Sequence, residues 1–138
     1  MRQNKFFSAA IALLLIVFFT TSWVTPTPAH SPERITITAV YDYSTFPHVK
    51  GTFTTSGAAT ISGNSTMDIH PSGDGSKAFC QVLLTASDGT ITIYQQCNLT
   101  ASKGVWEIIS GTGAYANVKG YGSLTMPPDT ELMTGVIF

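Results

Sequence analysis

The stretch F-C-Q-V-L-L-T-A-S-D-G-T-I-T-I-Y-Q-Q-C, residues 79–97, holds both cysteines of the chain and an Asp-Gly pair near its middle. Apolar and polar side chains alternate on either side of this pair, as they do along half-buried β-strands. Asp-Gly is a strong signal for a two-residue hairpin loop, because both central residues of that turn need a positive φ. We therefore predict an antiparallel hairpin in which Ser87 pairs with Thr90 and Cys80 pairs with Cys97.

This register makes the two cysteines direct cross-strand neighbours, whose side chains approach closely. In an oxidising compartment such a pair forms a disulfide, so we predict a Cys80–Cys97 bridge, with two buried thiols as the alternative. A zinc site has less support, because the cysteines and His70 lack the paired spacing of zinc ligands. The register also places eight side chains on one face of the hairpin: Cys80, Val82, Leu84, Ala86, Ile91, Ile93, Gln95 and Cys97.

The beginning of the chain has the order of a secretory signal peptide. Arg2 and Lys5 precede a nearly unbroken apolar run over residues 6–19, and small residues follow at Thr27 and Ala29. We predict a signal peptide over residues 1–29, cleavage after Ala29, and secretion of the mature protein. The alternative is a retained anchor, since the apolar stretch is nearly long enough to span a bilayer.

Residues 30–138 are enough for one domain with its own core. They carry five basic and eight acidic side chains, scattered singly along the chain. This pattern lacks the basic footprint of a nucleic-acid-binding protein and the polybasic patch of a membrane-surface protein. We therefore expect no nucleic-acid partner and no membrane-embedded mature form, and the oligomeric state stays open.

Short alternating runs rich in Val, Ile, Thr, Tyr and Phe fill this region, and turn residues separate them. Many short strands at such spacing predict an antiparallel sandwich or a closed barrel. The predicted strands are residues 35–43, 48–55, 58–63, 65–70, 78–86, 90–99, 104–110, 117–126 and 131–138.

A second motif, W-E-I-I-S-G-T-G-A-Y-A-N-V-K-G-Y-G, runs from Trp106 to Gly122. It predicts a strand, a tight turn at Gly111 and Gly113, and a further strand with Gly120 and Gly122 on its inner face. Inward glycines allow a sheet to bend or a neighbouring side chain to cross a barrel interior. A phosphate-binding loop is excluded, because no helical run and no Lys-Ser/Thr pair follow the glycines.

These residues resemble the glycine-turn segment of the allene oxide cyclase barrel-like proteins. Dirigent proteins carry a similar Gly-Thr/Ser-Gly-x-Phe/Tyr turn, and the likeness is strongest to small secreted bacterial members of undefined activity. The resemblance implies one all-β domain over residues 30–138, an eight-stranded antiparallel barrel. It carries no activity across, because the polar groups of the plant cyclases and the acidic pair of the dirigent proteins have no matching positions here.

Four residues are predicted to line the interior: Tyr41, Gln95, Trp106 and Tyr115. Aromatic rings with one amide suit a lipophilic ligand, and the alternative is that they simply fill the barrel. We expect a non-catalytic protein that binds a small apolar molecule or serves as a stable extracellular module. The alternatives are an isomerase or cyclase acting on a lipid-like substrate inside the barrel, and a surface interaction protein with no cavity.

The remaining polar candidates are expected to face water. Asp68 and His70 alternate with apolar neighbours, and His48 has no visible partner. If Trp106 points inward, Glu107 points outward; the reverse arrangement would make Glu107 a buried carboxylate and the best catalytic candidate. The sequence analysis therefore assigns no catalytic residue, no cofactor and no metal site.

Overall fold

The computed structural model describes residues 30–138, so the predicted signal peptide, residues 1–29, lies outside the described residues. Within this range no helix is long and apolar enough to cross a bilayer. The chain forms two single-turn 3₁₀ segments, Tyr43–Thr45 and Gly113–Tyr115, and the following strands: β1 Glu33–Asp42, β2 His48–Gly57, β3 Ser62–Pro71, β4 Lys77–Ala86, β5 Gly89–Asn98, β6 Lys103–Gly111, β7 Gly120–Thr125 and β8 Thr130–Ile137.

Each strand pairs antiparallel with the next one, and β8 pairs with β1, so the sheet closes into a barrel. The closing seam joins distant parts of the chain: Glu33 lies opposite Ile137, and Val40 lies opposite Thr130. Closure leaves no unpaired sheet edge. The prediction of an all-β, eight-stranded antiparallel barrel is confirmed, and the sandwich alternative is excluded.

One strand, β3, replaces the two predicted at 58–63 and 65–70, and it begins only at Ser62. β2 ends at Gly57, whose φ of 93° lies in the region that glycine tolerates best. The Thr55 hydroxyl then organises the loop, donating to the Ala59 carbonyl at 2.7 Å and accepting from the Ile61 N–H at 2.9 Å. Residues 58–61 are therefore a loop that the alternation of their side chains did not distinguish from a strand.

Inward and outward side chains alternate along the strands. Trp106 is buried and Glu107 is exposed, as the sequence predicts, and Asp68 and His70 also face water. The core fills the interior with the following residues: Ile35, Ile37, Ala39, Tyr41, Val49, Phe53, Met67, Ala78, Cys80, Val82, Leu84, Ile91, Ile93, Cys97, Trp106, Tyr115, Leu124 and Met133. An eight-stranded barrel is just wide enough to be filled in this way.

The hairpin that holds both cysteines differs from its predicted register. Ala86 pairs with Gly89, so the two-residue loop is Ser87-Asp88, and Cys80 lies opposite Gln95 rather than opposite Cys97. The partner of Cys80 is therefore two residues away from the predicted one. Because two is an even number, every side chain keeps its predicted face. The two cysteines are diagonal neighbours, and both point inward.

Contacts with the distant glycine turn explain the shift. The Asp88 carbonyl accepts a hydrogen bond from the Ala114 N–H at 3.0 Å, and the Asp88 carboxylate accepts one from the Tyr115 hydroxyl at 2.6 Å. A Cβ on Gly89 would lie 2.2 Å from the Thr112 carbonyl oxygen. Gly89 is thus needed for close approach of the 112–115 segment, and it begins β5 instead of serving in the turn.

The glycines of β7 and β8 make room for the indole of Trp106. Gly122 lies opposite Trp106 on β6 and opposite Gly135 on β8. A Cβ on Gly135 would come within 2.8 Å of the indole ring. The indole N–H donates to the Ser123 carbonyl at 3.1 Å, which satisfies its polar atom inside the barrel.

Candidate functional site

Glu131, the second residue of β8, points into the barrel and is only 2% exposed. The sequence analysis predicted the strand but missed the carboxyl, because both faces of T-E-L-M-T-G-V-I-F carry apolar residues. Either the face with Glu131 and Met133 or the face with Leu132 and Val136 could point into the barrel, because each carries apolar residues. Only pairing with β1 and β7 decides between them.

Glu131 has one side-chain hydrogen bond, which it accepts from the Gln95 amide across the barrel. The same amide nitrogen lies 3.4 Å from the Met133 sulfur. Burial raises the pKa of Glu131 to about 7, and the Gln95 hydrogen bond offsets part of this rise. At neutral pH the carboxyl therefore exists in both its protonated and its ionised form.

Three further polar atoms near Glu131 are buried and have no hydrogen-bonding partner among the described residues. They are the Tyr41 hydroxyl, the Ser65 hydroxyl and the Gln95 carbonyl oxygen. Tyr41 and Ser65 lie on one row of the barrel wall, separated by Gly51. Burial, followed by the nearby Glu131 charge, raises the pKa of Tyr41 above its ordinary range, so its hydroxyl stays protonated. The neighbouring Ser65 hydroxyl offsets part of this rise, which places the two hydroxyls close together although their geometry falls short of a hydrogen bond. We call Tyr41, Ser65, Gln95 and Glu131 the interior polar cluster.

Buried groups without partners are rare in folded proteins, because each one loses its hydrogen bonds to water without replacement. Three such groups around the Glu131 carboxyl lower the stability of the fold, and packing of the core does not require them. The cluster combines a group that can take up a proton, Glu131, with two hydroxyl donors and an amide acceptor. Such a set can hold a polar atom of a small molecule beside a general base.

Cys80 and Cys97 border the same region as free, buried thiols. The interaction with Cys97, burial and the Glu131 charge all raise the pKa of Cys80, so this thiol stays protonated. The direct opposition predicted for the two cysteines is wrong, for the reason given above. The disulfide itself is not confirmed and stays a prediction.

The interior polar cluster lies toward the end of the barrel that is formed by loops 43–47, 72–76, 99–102 and 126–129, which we call the Tyr43 end. Tyr43 follows β1 directly, and its ring meets that of Tyr41 edge to face, with centroids 6.2 Å apart. Burial and the Glu131 charge raise the pKa of Tyr43, yet its side chain is still 40% exposed. Tyr43 therefore stands between solvent and the cluster.

The four residues predicted to line the interior are all buried, but they do not form one group. Tyr41 and Gln95 belong to the interior polar cluster, and Trp106 pairs with Gln95 on the neighbouring strand. Tyr115 lies at the opposite end, where its hydroxyl bonds Asp88. Three of the four predicted residues therefore lie together, and the fourth, Tyr115, helps to close the opposite end of the barrel.

Outside the barrel, His48 does have a partner, contrary to the sequence analysis. Its Nδ1 lies against the Asp68 carboxylate, because the two residues pair across β2 and β3. Within residues 30–138 no three His, Cys, Asp or Glu side chains come close enough together to hold a metal ion. The grooves described on the barrel lie between outward side chains, and Glu131 lines none of them.

The comparisons with known proteins concern the fold alone. No known family profile matches the chain, and no curated protein sequence matches it. A solved structure of a pyocyanin demethylase is similar, with a TM-score of 0.51 at 18% sequence identity, covering 75% of this chain and 98% of that chain. The neighbour is an enzyme that shares the barrel-like fold. The fold implied by the resemblance is confirmed, whereas no comparison identifies the allene oxide cyclase family.

Proposed function

We propose that this barrel is an enzyme of the proton-transfer type, an isomerase or cyclase that acts on a small, mainly apolar molecule at the interior polar cluster. The observation that carries the proposal is the buried Glu131 carboxyl, whose pKa is raised to about 7. A general base is most effective when its pKa lies near the pH of the reaction, here neutral pH. The leading expectation from the sequence was a non-catalytic protein. That expectation assumed that the interior holds no ionisable group, and the buried Glu131 carboxyl contradicts this assumption.

Each member of the cluster has a role in this proposal. Ionised Glu131 takes a proton from a carbon of the substrate and returns it at another position, while the Gln95 amide holds the carboxylate in place. The hydroxyls of Tyr41 and Ser65, which neighbour each other on the barrel wall, donate to a substrate oxygen that gains negative charge during the transfer. The surrounding aliphatic side chains favour an apolar substrate body and exclude water.

A substrate would enter at the Tyr43 end. The interior is filled with side chains, so binding requires the exposed 3₁₀ segment Tyr43–Thr45 to move aside and core side chains next to the cluster to rearrange. No residue of this segment is buried. Three hydrogen bonds hold it: from the Ser44 N–H to the Asp42 carboxylate at 2.9 Å, from the Phe46 N–H to the Tyr43 carbonyl at 3.1 Å, and from the Thr45 hydroxyl to the His48 carbonyl. Moving this segment leaves the barrel ladders intact, which fits a gating role.

A model reaction tests the base directly. Nitrobenzisoxazole opens when a base removes the one C–H proton of its isoxazole ring: the C–H electron pair completes a nitrile, the N–O bond breaks, and the oxygen becomes the phenolate of the coloured cyanophenolate product. We expect the mature protein to accelerate this reaction, with a rate that rises through pH 7 as Glu131 ionises. Glu131→Gln should abolish the acceleration, and the exposed control Glu33→Gln should retain it.

The same measurement can reject the enzyme. If the wild-type protein and Glu131→Gln open nitrobenzisoxazole at equal rates, Glu131 is not an accessible base. The second candidate function, a stable non-catalytic module, then takes its place. The observation that favours this second candidate is the interior itself, since side chains such as Ile93 and Met133 are fully buried and leave little space for a ligand.

We also propose that the protein is exported and that it belongs to the secreted members of the allene oxide cyclase barrel-like group. Support comes from the order of residues 1–29 and from the Trp106 to Gly122 motif. N-terminal sequencing of protein from the medium of its own host should begin at or near His30. Material that begins at Met1 would return the anchored alternative.

A further inference from the structure

The outer wall of the barrel carries a groove of about 300 Å³ that the proposed function does not use. Its walls are the rings of Tyr94 and Tyr121, and Glu107 lies between them. The strand register fixes this order, because Glu107 pairs with Tyr94 on one side and with Tyr121 on the other. Gln96, Val105, Trp106 and Gly122 complete the lining of this groove.

Glu107 is the only charged residue that lines this groove, and the side chains around it are aromatic, aliphatic or amide. Among residues 30–138, the one ion pair joins His48 and Asp68, so Glu107 has no cationic partner there. Its carboxylate is exposed, and a cationic side chain along this wall, Lys119, lines the neighbouring groove without forming an ion pair with Glu107.

The aromatic surface continues beyond the groove on both sides. Phe79 stacks on Tyr94 with ring centroids 6.4 Å apart, and Phe138 meets Tyr121 edge to face at 6.2 Å. Tyr121 is nevertheless 59% exposed, the largest exposure among the large hydrophobic residues of the described range. Each tyrosine ring is therefore packed against a second aromatic ring.

We propose that this groove binds an organic cation of the methylated-ammonium class. The carboxylate selects positive charge, and the two tyrosine faces select a cation with a polarisable, weakly hydrated surface, which is the combination that a trimethylammonium group offers. A simple metal ion finds only one carboxylate here, and a neutral apolar ligand leaves that carboxylate desolvated and unpaired. The inference is independent of Glu131, whose side chain lies inside the barrel.

Choline is the probe, and its neutral carbon isostere dimethylbutanol is the matched control ligand. Titration followed by NMR should shift the ring resonances of Tyr94 and Tyr121 with choline and leave them nearly unchanged with dimethylbutanol. Glu107→Gln should weaken choline binding by about tenfold, the scale of a close charge pair at a partly screened site. Tyr121→Leu, which keeps the groove apolar, should weaken it by about two- to fivefold.

The exposed carboxylate variant Glu33→Gln removes the same charge elsewhere and should leave choline binding as in the wild type. Thermal unfolding of each variant verifies the fold, which an exposed Glu107→Gln change should not alter. Equal binding of choline and dimethylbutanol, or unchanged choline affinity in Glu107→Gln, would overturn the proposal. Absence of any shift with choline would overturn it as well.

Discussion

Replacing Glu131 by glutamine should change how the stability of the barrel depends on pH. The pKa of this carboxyl rises from its ordinary 4.5 to about 7 in the folded protein. Between these values the folded state holds a proton that the unfolded state has released, so the free energy of unfolding falls as the pH rises. Each pKa unit corresponds to about 1.4 kcal/mol, which gives a loss of about 3 kcal/mol between pH 4.5 and 7.

Glutamine has the size of the protonated carboxyl and cannot ionise. At pH 5 we expect Glu131→Gln and the wild type to differ little, whereas at pH 8 the variant should be the more stable by about 3 kcal/mol. Urea unfolding, followed by the fluorescence of Trp106, the one tryptophan outside residues 1–29, measures both proteins across this range. The two proteins differ in one side chain only, so the difference between the two curves reports Glu131.

The control is Glu33→Gln, which removes an exposed carboxyl and should keep the wild-type slope. A stability difference between Glu131→Gln and the wild type that stays constant from pH 5 to 8 would refute the reasoning. It would mean that Glu131 ionises in the folded protein as it does in water, and the role of Glu131 as a base near neutral pH would be lost with it.

Three further predictions concern stability and the thiols. Tyr115→Phe should cost about 1 kcal/mol in urea unfolding, because it removes the bond to the turn carboxylate; Tyr121→Phe, whose hydroxyl has no such bond, should match the wild type. Gly135→Ala should lower the free energy of unfolding by at least about 2 kcal/mol, since its Cβ would lie 2.1 Å from the Tyr121 carbonyl oxygen and 2.8 Å from an indole carbon. In the control Gly73→Ala the added Cβ meets no atom, so the free energy of unfolding should change by no more than about 0.5 kcal/mol. In urea, where burial no longer protects them, both cysteines of protein from the host medium should resist thiol labelling until a reductant is added, and full labelling in urea without reductant would show that the predicted disulfide is absent.

The interior polar cluster shows where sequence reasoning was sufficient and where it was not. Gln95 was predicted to point inward because it shares a strand face with Ile91 and Ile93, and the apolar side chains of these two residues are expected in the core. Glu131 had no such neighbours, since apolar residues occupy both faces of its strand. A buried carboxyl also contradicts the usual preference of charged residues for the surface, so residue type pointed in the wrong direction.

The sequence by itself determined the all-β class and the inward or outward direction of most side chains, because alternation along a strand is a local property. Trp106 inside and Glu107 outside followed from it. Tertiary structure alone decided the register of the cysteine hairpin, which depends on Asp88 meeting Tyr115 from a segment more than twenty residues away. It also decided that β1 and β8 meet and that Glu131 turns inward, because both depend on contacts between residues close in space and distant along the chain.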